Sequence, residues 1–170
     1  MSVEEHRREG ADDLGFLGVT VTSSRGESDD VSGALLRRKI GGAGYRWVAS
    51  HRVSDDVPAI REITVRGLED EAVDVVVLTG GTGFSPADLT VEAVVPLFDR
   101  IVDGFGELFR SLSYEEIGPA AMLSRACAGL ARGKAVFALP GSPKAVELAL
   151  DALILPEVSH LLGQARRVDK

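Results

Sequence analysis

The run of apolar residues from Val75 to Leu78, in the segment VDVVVLTGG, limits the possible folds more than any other feature of this sequence. A continuous Val/Leu run without alternation is typical of a strand covered on both faces. We therefore predict that this strand lies in the centre of a sheet with a helical layer on each side.

Three further segments have strand character, and each is followed by a helical pattern. They are Phe16–Val21, Tyr45–Val53 and Ala135–Pro140. Strands that alternate with helices through short connections predict an α/β fold, with three α/β/α layers and a mostly parallel, doubly wound sheet. We assign residues 1–14 to a flexible N-terminal segment and residues 15–170 to a single α/β domain.

Two helix starts can be predicted from capping chemistry. Asp55 and Asp56 precede Pro58, and Ser142 precedes Pro143. A capping side chain accepts a hydrogen bond from a free backbone N–H at the helix start, and proline has no N–H to leave unpaired. Either aspartate could be only a cap, so the pattern does not separate a structural role from a chemical one.

Composition excludes several classes of function. The formal net charge is -7, whereas a nucleic-acid surface needs a basic stripe. The single cysteine, Cys127, is interpreted as a small buried side chain, and the three histidines lie too far apart for a zinc site. The N-terminus lacks an apolar signal region, and no stretch is long enough to span a bilayer. We expect a cytoplasmic protein that binds neither nucleic acid nor membrane.

The loop TGGTGFSPADLT follows the central strand, where ligands bind in open α/β sheets. Gly80, Gly81 and Gly83 allow close approach to the backbone, so that successive N–H groups can point at a phosphate. Asp88 is a magnesium candidate, because a carboxylate beside a phosphate needs a cation between them. The alternative is that Asp88 or Thr90 only caps the next helix.

Basic side chains occur in two of the loops that follow strands. Arg25 follows the first strand and Lys144 follows the fourth, so both are candidates for binding an anion. No nucleophile motif is present. The residues alone therefore predict a magnesium-dependent nucleotide or phosphate-ester site that acts by positioning and charge neutralisation.

Several motifs in order carry a more specific resemblance. They are TGGTG with a downstream Asp-x-Thr, then GFGELFR, SR and PGSPKA. The chain from about Gly15 to about Leu161 resembles the molybdenum cofactor biosynthesis proteins of the MogA/MoaB family. The resemblance implies a three-layer α/β fold and adenylylation of molybdopterin. In that reaction the terminal phosphate of the pterin attacks the α-phosphorus of Mg-ATP and pyrophosphate leaves, before molybdate or tungstate is inserted.

The resemblance also implies roles for individual residues. Asp55 and Asp88 match the two acidic residues used for magnesium and catalysis. The nucleotide and phosphate loop corresponds to Gly80, Gly81, Thr82 and Gly83. The residues expected to line the nucleotide and pterin pocket are Asp30, Ser32, Gly33, Glu107, Ser113, Arg125, Pro140, Gly141, Ser142 and Lys144. The family further implies a homotrimer or homohexamer.

The sequence departs from the family pattern at two positions. Ala87 stands where an arginine commonly precedes the aspartate, and Val91 stands where proline is usual. A non-catalytic molybdopterin-binding homologue, acting as a carrier or assembly partner, is therefore the alternative to the enzyme. An NAD-type oxidoreductase is disfavoured, because no G-x-G-x-x-G follows the first strand.

Overall fold

The structure is a computed structural model that describes residues 13–23 and 30–167. Its strands are β1 (Gly15–Val21), β2 (Arg46–Val53), β3 (Val75–Thr79), β4 (Arg100–Ile101), β5 (Cys127–Ala131) and β6 (Lys134–Leu139). Its α-helices are α1 (Val31–Gly42), α2 (Val57–Glu69), α3 (Thr90–Val94), α4 (Asp103–Ile117), α5 (Pro143–Ala149) and α6 (Leu155–Ala165). Short 3-10 helices cover Val95–Leu97 and Gly118–Leu123, and a π-helical turn, Leu150–Ile154, joins α5 to α6. The flexible segment expected at residues 1–14 lies almost wholly outside the described residues.

The described strands form one sheet in the order β2-β1-β3-β6-β5-β4. β1 pairs in parallel with β2 and β3, and β3 pairs in parallel with β6. The predicted parallel sheet with β3 in its interior is therefore confirmed. β4 and β5 were not predicted from the sequence, and they extend one edge of the sheet by antiparallel pairing.

The side chains of β3 alternate between two apolar cores. Val75 and Val77 belong to a core that contains residues of α1, α4, α5 and α6. Val76 and Leu78 belong to a second core, with residues of α2 and α3. All four side chains are fully buried. Each face of the sheet is thus covered by helices, which confirms the three-layer architecture.

Side-chain caps begin three of the helices. Asp56 accepts a hydrogen bond from the Ala59 N–H at the start of α2 (2.9 Å). Ser142 accepts one from the Ala145 N–H at the start of α5 (3.2 Å). Asp30 accepts one from the Gly33 N–H at the start of α1 (2.8 Å). The helix starts predicted before Pro58 and Pro143 are confirmed.

The arrangement of the parallel strands determines where a ligand can bind. The carboxyl ends of β1, β2, β3 and β6 lie at the same edge of the sheet. The chain passes from β1 to α1 on one face and from β3 to α3 on the other. Ligands of open α/β sheets bind in the crevice at such a switch point. Among the described residues, no helix combines the length and the apolar character needed to cross a bilayer.

Candidate functional site

A cavity of about 360 Å³ opens at the carboxyl ends of the strands, and we name it the acidic cavity because two aspartates line it. The residues that line it are Thr20, Val21, Thr22, Ser32, Asp55, Thr79, Gly80, Gly81, Asp88, Gly141 and Ser142. They come from the ends of β1 and β3, from α1 and from the loops after β2, β3 and β6. Segments far apart in the chain therefore meet in one cavity.

The glycines after β3 pass close to their neighbours. Gly80 has φ +104° and Gly81 has φ +66°, where a side chain is strained. A Cβ on Gly81 would lie 2.5 Å from Thr90 Oγ1 and 3.4 Å from Asp55 Oδ1. Thr90 holds this turn, because its hydroxyl donates to Gly80 O (2.7 Å) and its N–H donates to Gly81 O (3.0 Å). These positions require glycine. The Gly80 N–H donates to Leu139 O (2.9 Å), so the expectation that successive N–H groups point at a phosphate is wrong at Gly80.

Asp55 and Asp56 have different environments. Asp56 is the exposed cap of α2 described above. Asp55 is half-buried and lines the acidic cavity, with its N–H donating to Ser23 Oγ (3.0 Å). The Asp55 carboxylate accepts no hydrogen bond from the described residues. Of the two, only Asp55 is placed to bind a ligand in the cavity.

Asp88 is held by its own loop and does not cap the following helix. Its Oδ2 accepts a hydrogen bond from the Ser85 N–H (2.8 Å), and its N–H donates to Ser85 O (2.9 Å). α3 begins after Leu89 without a side-chain cap, so the capping alternative is excluded for Asp88 and for Thr90. The second carboxylate oxygen, Oδ1, accepts no hydrogen bond from the described residues.

The donor set suits a hard cation that shares its coordination with a substrate. Within residues 13–23 and 30–167, no group of three or more His, Cys, Asp or Glu side chains could hold a metal by itself. Magnesium binds through one or two carboxylates together with phosphate oxygens and water. Asp55 and Asp88 are two carboxylates on one cavity, each with at least one oxygen that accepts no hydrogen bond from the described residues, and they fit this requirement.

Positive side chains are missing from the acidic cavity as far as the described residues show. Lys144 is exposed, and the depressions that it lines contain the acidic Glu147. Lys144 lines neither the acidic cavity nor the second cavity described below. Arg25, the other predicted basic partner, lies outside the described residues. An anion in the acidic cavity therefore depends on backbone N–H groups or on a bound cation.

A second cavity of about 290 Å³, which we name the apolar cavity, adjoins the first. Phe109, Ile117 and Leu123 line it together with Thr82, Gly83, Ser113 and Pro140. Ser113 is buried, and its hydroxyl donates to Phe109 O (2.8 Å). The residues that line both cavities are Gly81, Asp88, Gly141 and Ser142. Asp88 therefore stands at the junction of a polar compartment and a largely apolar one.

The segments around the acidic cavity are joined by side-chain hydrogen bonds. Ser32 donates to Gly141 O (2.9 Å), and Thr79 donates to Pro140 O (3.0 Å). Asp30 accepts from Thr20 Oγ1 (2.7 Å) while it caps α1. Ser32 and Gly141 line the acidic cavity, whereas Asp30 and Gly33 line a neighbouring surface depression.

A family model described as "Probable molybdopterin binding domain" matches residues 15–160, most of the chain. The chain belongs to this family. It is 43% identical over 168 residues to the molybdenum cofactor biosynthesis protein B of Bacillus subtilis, covering 98% of this chain and 99% of that protein. It is 45% identical over 140 residues to the protein of the same name from Escherichia coli K12, covering 82% of each.

A solved structure has the same fold. The tungsten cofactor synthesizing protein MoaB from Pyrococcus furiosus has a TM-score of 0.82 and 39% identity, covering 92% of this chain and 99% of that chain. The resemblance to the MogA/MoaB family is thus confirmed. Together these relatives support a role in molybdenum cofactor biosynthesis for this family member.

Five residues assigned to the pocket by family resemblance lie outside both cavities: Asp30, Gly33 and Lys144, whose positions are given above, and Glu107 and Arg125. Glu107 is exposed on α4 and lines neither of them. Arg125 is half-buried beside the loop after β3, where its guanidinium contacts Gly83, Asp88 and Glu92. A direct role for any of the five residues in pterin binding stays a prediction.

Two residues that support the site were not predicted from the sequence. Thr90 was considered only as a cap, but it holds the turn at Gly80 and Gly81. Glu92 was not considered, and it pairs with Arg125, 33 positions away. The Asp-x-Thr spacing was a usable signal for Thr90. No local signal points to Glu92, because its partner is distant in the chain.

Proposed function

We propose that this member of the molybdopterin-binding family catalyses Mg-ATP-dependent adenylylation of molybdopterin, releasing pyrophosphate, before molybdate or tungstate insertion. One observation carries the proposal: Asp55 and Asp88 line the same cavity beside the Gly80-Gly81 turn. Two carboxylates beside a glycine turn suit a triphosphate that arrives with a divalent cation.

Electrostatics supports a divalent cation as part of this function. Two carboxylates and a triphosphate repel one another, and no lysine or arginine among the described residues lines the acidic cavity. Bound Mg²⁺ would neutralise phosphate charge during transfer, including the charge that develops on the leaving pyrophosphate. Asp55 and Asp88 would hold the ion, while Gly81, which has no side chain, would let the phosphates approach the backbone.

The two cavities provide separate places for the two substrates. The acidic cavity suits the ATP phosphates, and the apolar cavity, with Phe109 and Leu123, suits the flat ring of a pterin. The residues that line both cavities would bring the phosphate of the pterin and the α-phosphate of ATP together near Asp88. There an oxygen of the pterin phosphate would bond to the α-phosphorus of ATP, and the bond from that phosphorus to the pyrophosphate oxygen would break.

The test is to incubate the protein with molybdopterin and Mg-ATP and to measure adenylylated pterin and pyrophosphate by mass spectrometry. We expect Asp55→Asn and Asp88→Asn each to lower the rate by about 100-fold or more, because each removes a charge that positions the cation. Adding EDTA in excess of Mg²⁺ should abolish product formation and leave the melting temperature unchanged.

Asp56→Asn is the matched control for Asp55→Asn. It changes the neighbouring carboxylate in the same way, but asparagine caps a helix about as well as aspartate does. This variant should keep both its activity and its stability. Equal losses in Asp55→Asn and Asp56→Asn would contradict the separate roles assigned to these residues.

A non-catalytic molybdopterin-binding protein is the second candidate, and the observation that favours it is Ala87 beside Asp88. The same experiment distinguishes the two. Wild-type protein that binds molybdopterin tightly, yet forms no adenylylated product with Mg-ATP, would be a carrier or an assembly partner. Product formation would exclude this candidate.

We further infer that the protein acts as a homo-oligomer, a trimer or a hexamer. Exposed large apolar side chains are concentrated between Ile101 and Leu123, and they include Leu108 and Met122, which are 55% and 74% exposed. Exposed apolar side chains grouped in one part of a small domain favour a protein interface. A second copy of this chain would bury them, apart from Ile117 and Leu123, which line the apolar cavity.

A further inference from the structure

Arg125 lies between the 3-10 helix Gly118–Leu123 and strand β5, far along the chain from the loop that it contacts. Its Nε donates to Gly83 O (2.7 Å), and its Nη2 donates to Asp88 O (2.9 Å). Its backbone N–H donates to Thr82 O (3.0 Å). One residue therefore binds three carbonyl groups of the loop that presents Asp88.

The guanidinium is itself held in place. Glu92 at the start of α3 accepts hydrogen bonds from Nη1 and, at 3.3 Å, from Nη2. The Phe84 ring lies against the guanidinium, with its centroid 5.3 Å from Cζ. The hydrogen bond from Arg125 lowers the pKa of Glu92 below its usual value, because it favours the charged carboxylate. The planar fork of arginine suits this geometry, which a lysine ammonium does not reproduce.

The loop is thus held at two places. Thr90 binds the first turn through Gly80 and Gly81, and Arg125 binds the carbonyl groups of Thr82 and Gly83, which follow this turn, and that of Asp88. Within the loop, the Asp88 carboxylate keeps its direction through the Ser85 N–H. Without Arg125, the carbonyl groups of Gly83 and Asp88 lose this partner, and among the described residues only Ser85 still forms hydrogen bonds with Asp88.

We propose that Arg125 is a positioning residue, which directs the Asp88 carboxylate into the acidic cavity by binding the loop backbone, and that Glu92 aligns Arg125 for this task. The inference rests on the proposed function. It also accounts for Ala87, because Arg125 orients this loop from a different part of the fold. No arginine next to Asp88 is then needed to hold the carboxylate in place.

The first experiment is amide hydrogen exchange of residues 80–88 in the ligand-free protein. Arg125→Gln should exchange at least about 10-fold faster than the wild type in this loop, because the bonds that close it are lost. Arg125→Lys should resemble Arg125→Gln, and Glu92→Gln should show a smaller increase. The controls are Arg132→Gln and Glu69→Gln, which break a surface ion pair at the other end of the molecule (3.0 Å). They should leave this loop unchanged.

The second experiment measures kcat and KM for adenylyl transfer in the same variants. A positioning role predicts that Arg125→Gln and Arg125→Lys lower kcat about 10- to 100-fold, while KM for molybdopterin stays within about threefold. A residue that bound the pterin directly would instead raise KM. Unchanged exchange in the loop, or faster exchange with an unchanged kcat, would overturn the inference.

An inactive wild type would refute the proposed function separately. In that case, the exchange experiment alone decides whether Arg125 orders the loop: faster exchange in Arg125→Gln with unchanged controls supports the inference, and equal exchange overturns it.

Discussion

Asp55 and Asp56 are neighbours in the chain, yet their side chains lie in different environments. Asp56 faces the first turn of α2 and accepts the Ala59 N–H. Asp55 faces the acidic cavity. At the scale of single residues, the direction in which a side chain points is therefore as important as the type of residue.

This separation leads to a stability prediction. Asp56→Ala removes the cap of α2, and we expect the free energy of unfolding to fall by about 1 kcal/mol. Urea denaturation followed by circular dichroism measures this change. Adenylyl transfer should be retained at a temperature where the variant is folded, whereas Asp55→Ala should lose activity and keep its stability. If Asp56→Ala lost activity and Asp55→Ala lost stability, the roles assigned to the two residues would be reversed.

Cys127, interpreted from the sequence as a buried side chain, is half-buried in the structure, and its thiol offers a test of that partial burial. Burial raises the pKa of this thiol from 9.0 to about 11, because the thiolate loses hydration inside the protein. At pH 8 the thiolate fraction should therefore be about 100-fold lower in the folded protein than in the unfolded chain.

Alkylation by iodoacetamide at pH 8 should be slow in native protein and fast in urea. A folded-state pKa above the unfolded one also means that the thiol favours folding below pH 9, and that this contribution is lost as the pH rises from 9 towards 11. Rapid alkylation of the native protein would show that the thiol is neither buried nor raised in pKa.

At the scale of elements, the loop between β3 and α3 is shaped by glycine conformation and by contacts from distant residues. Gly81 combines a positive φ with close neighbours on the cavity side. Gly133, in the turn between β5 and β6, has a similar φ of +73°, but a Cβ added there would meet no described atom within 4 Å. Comparing Gly81 with Gly133 therefore separates the cost of a side chain at positive φ from the cost of a steric conflict.

Alanine substitution at these glycines should give different results. Gly133→Ala should lose about 1–2 kcal/mol of unfolding free energy from the left-handed backbone alone and keep its activity. Gly81→Ala should lose more, because its Cβ would also meet Thr90 Oγ1, and it should lose adenylyl transfer. Thermal unfolding and the mass-spectrometric assay measure both. Retention of activity in Gly81→Ala would show that the turn can relax without moving Asp55 or Asp88.

At the scale of the whole molecule, the sheet separates two cores and leaves apolar side chains on the surface formed by β4, α4 and the following 3-10 helix. Leu108 and Met122 are the clearest members of this surface. Their exposure contrasts with the burial of Phe109, the neighbour of Leu108 on α4, which packs in the core with 1% exposure.

The oligomer prediction is tested by placing charge on this surface. Met122→Glu and Leu108→Glu should each shift the protein toward monomer in sedimentation velocity, because burying an unpaired carboxylate opposes association. Val31→Glu is the control, since Val31 is also exposed (60%) but lies on a different helix. A wild type that sediments as a monomer would refute the oligomer, and dissociation in all three variants would refute this choice of interface.

Much of the fold and part of the site could be predicted from the order of residues along the chain. The Val75–Leu78 run, the residues before Pro58 and Pro143, and the glycines after β3 act over one turn or one strand. Their physical causes are local: burial on both faces, a cap for free N–H groups, and freedom at positive φ. Such causes leave a pattern in adjacent residues, so the four parallel strands and the loops that follow them could be recognised.

The remaining features depend on contacts between residues that are distant in the chain. β4 has two residues and β5 has five, and β4 is ordered by pairing with β5 and not by a long apolar pattern. Arg125 meets Glu92 and the Asp88 loop only after α3 and β5 have packed in place. The choice between Asp55 and Asp56 likewise depends on which one faces the cavity. Neighbouring residues thus predicted the strands, the helix caps and the glycine turn after β3, while packing between distant elements determined the direction and the partner of the charged side chains at the site.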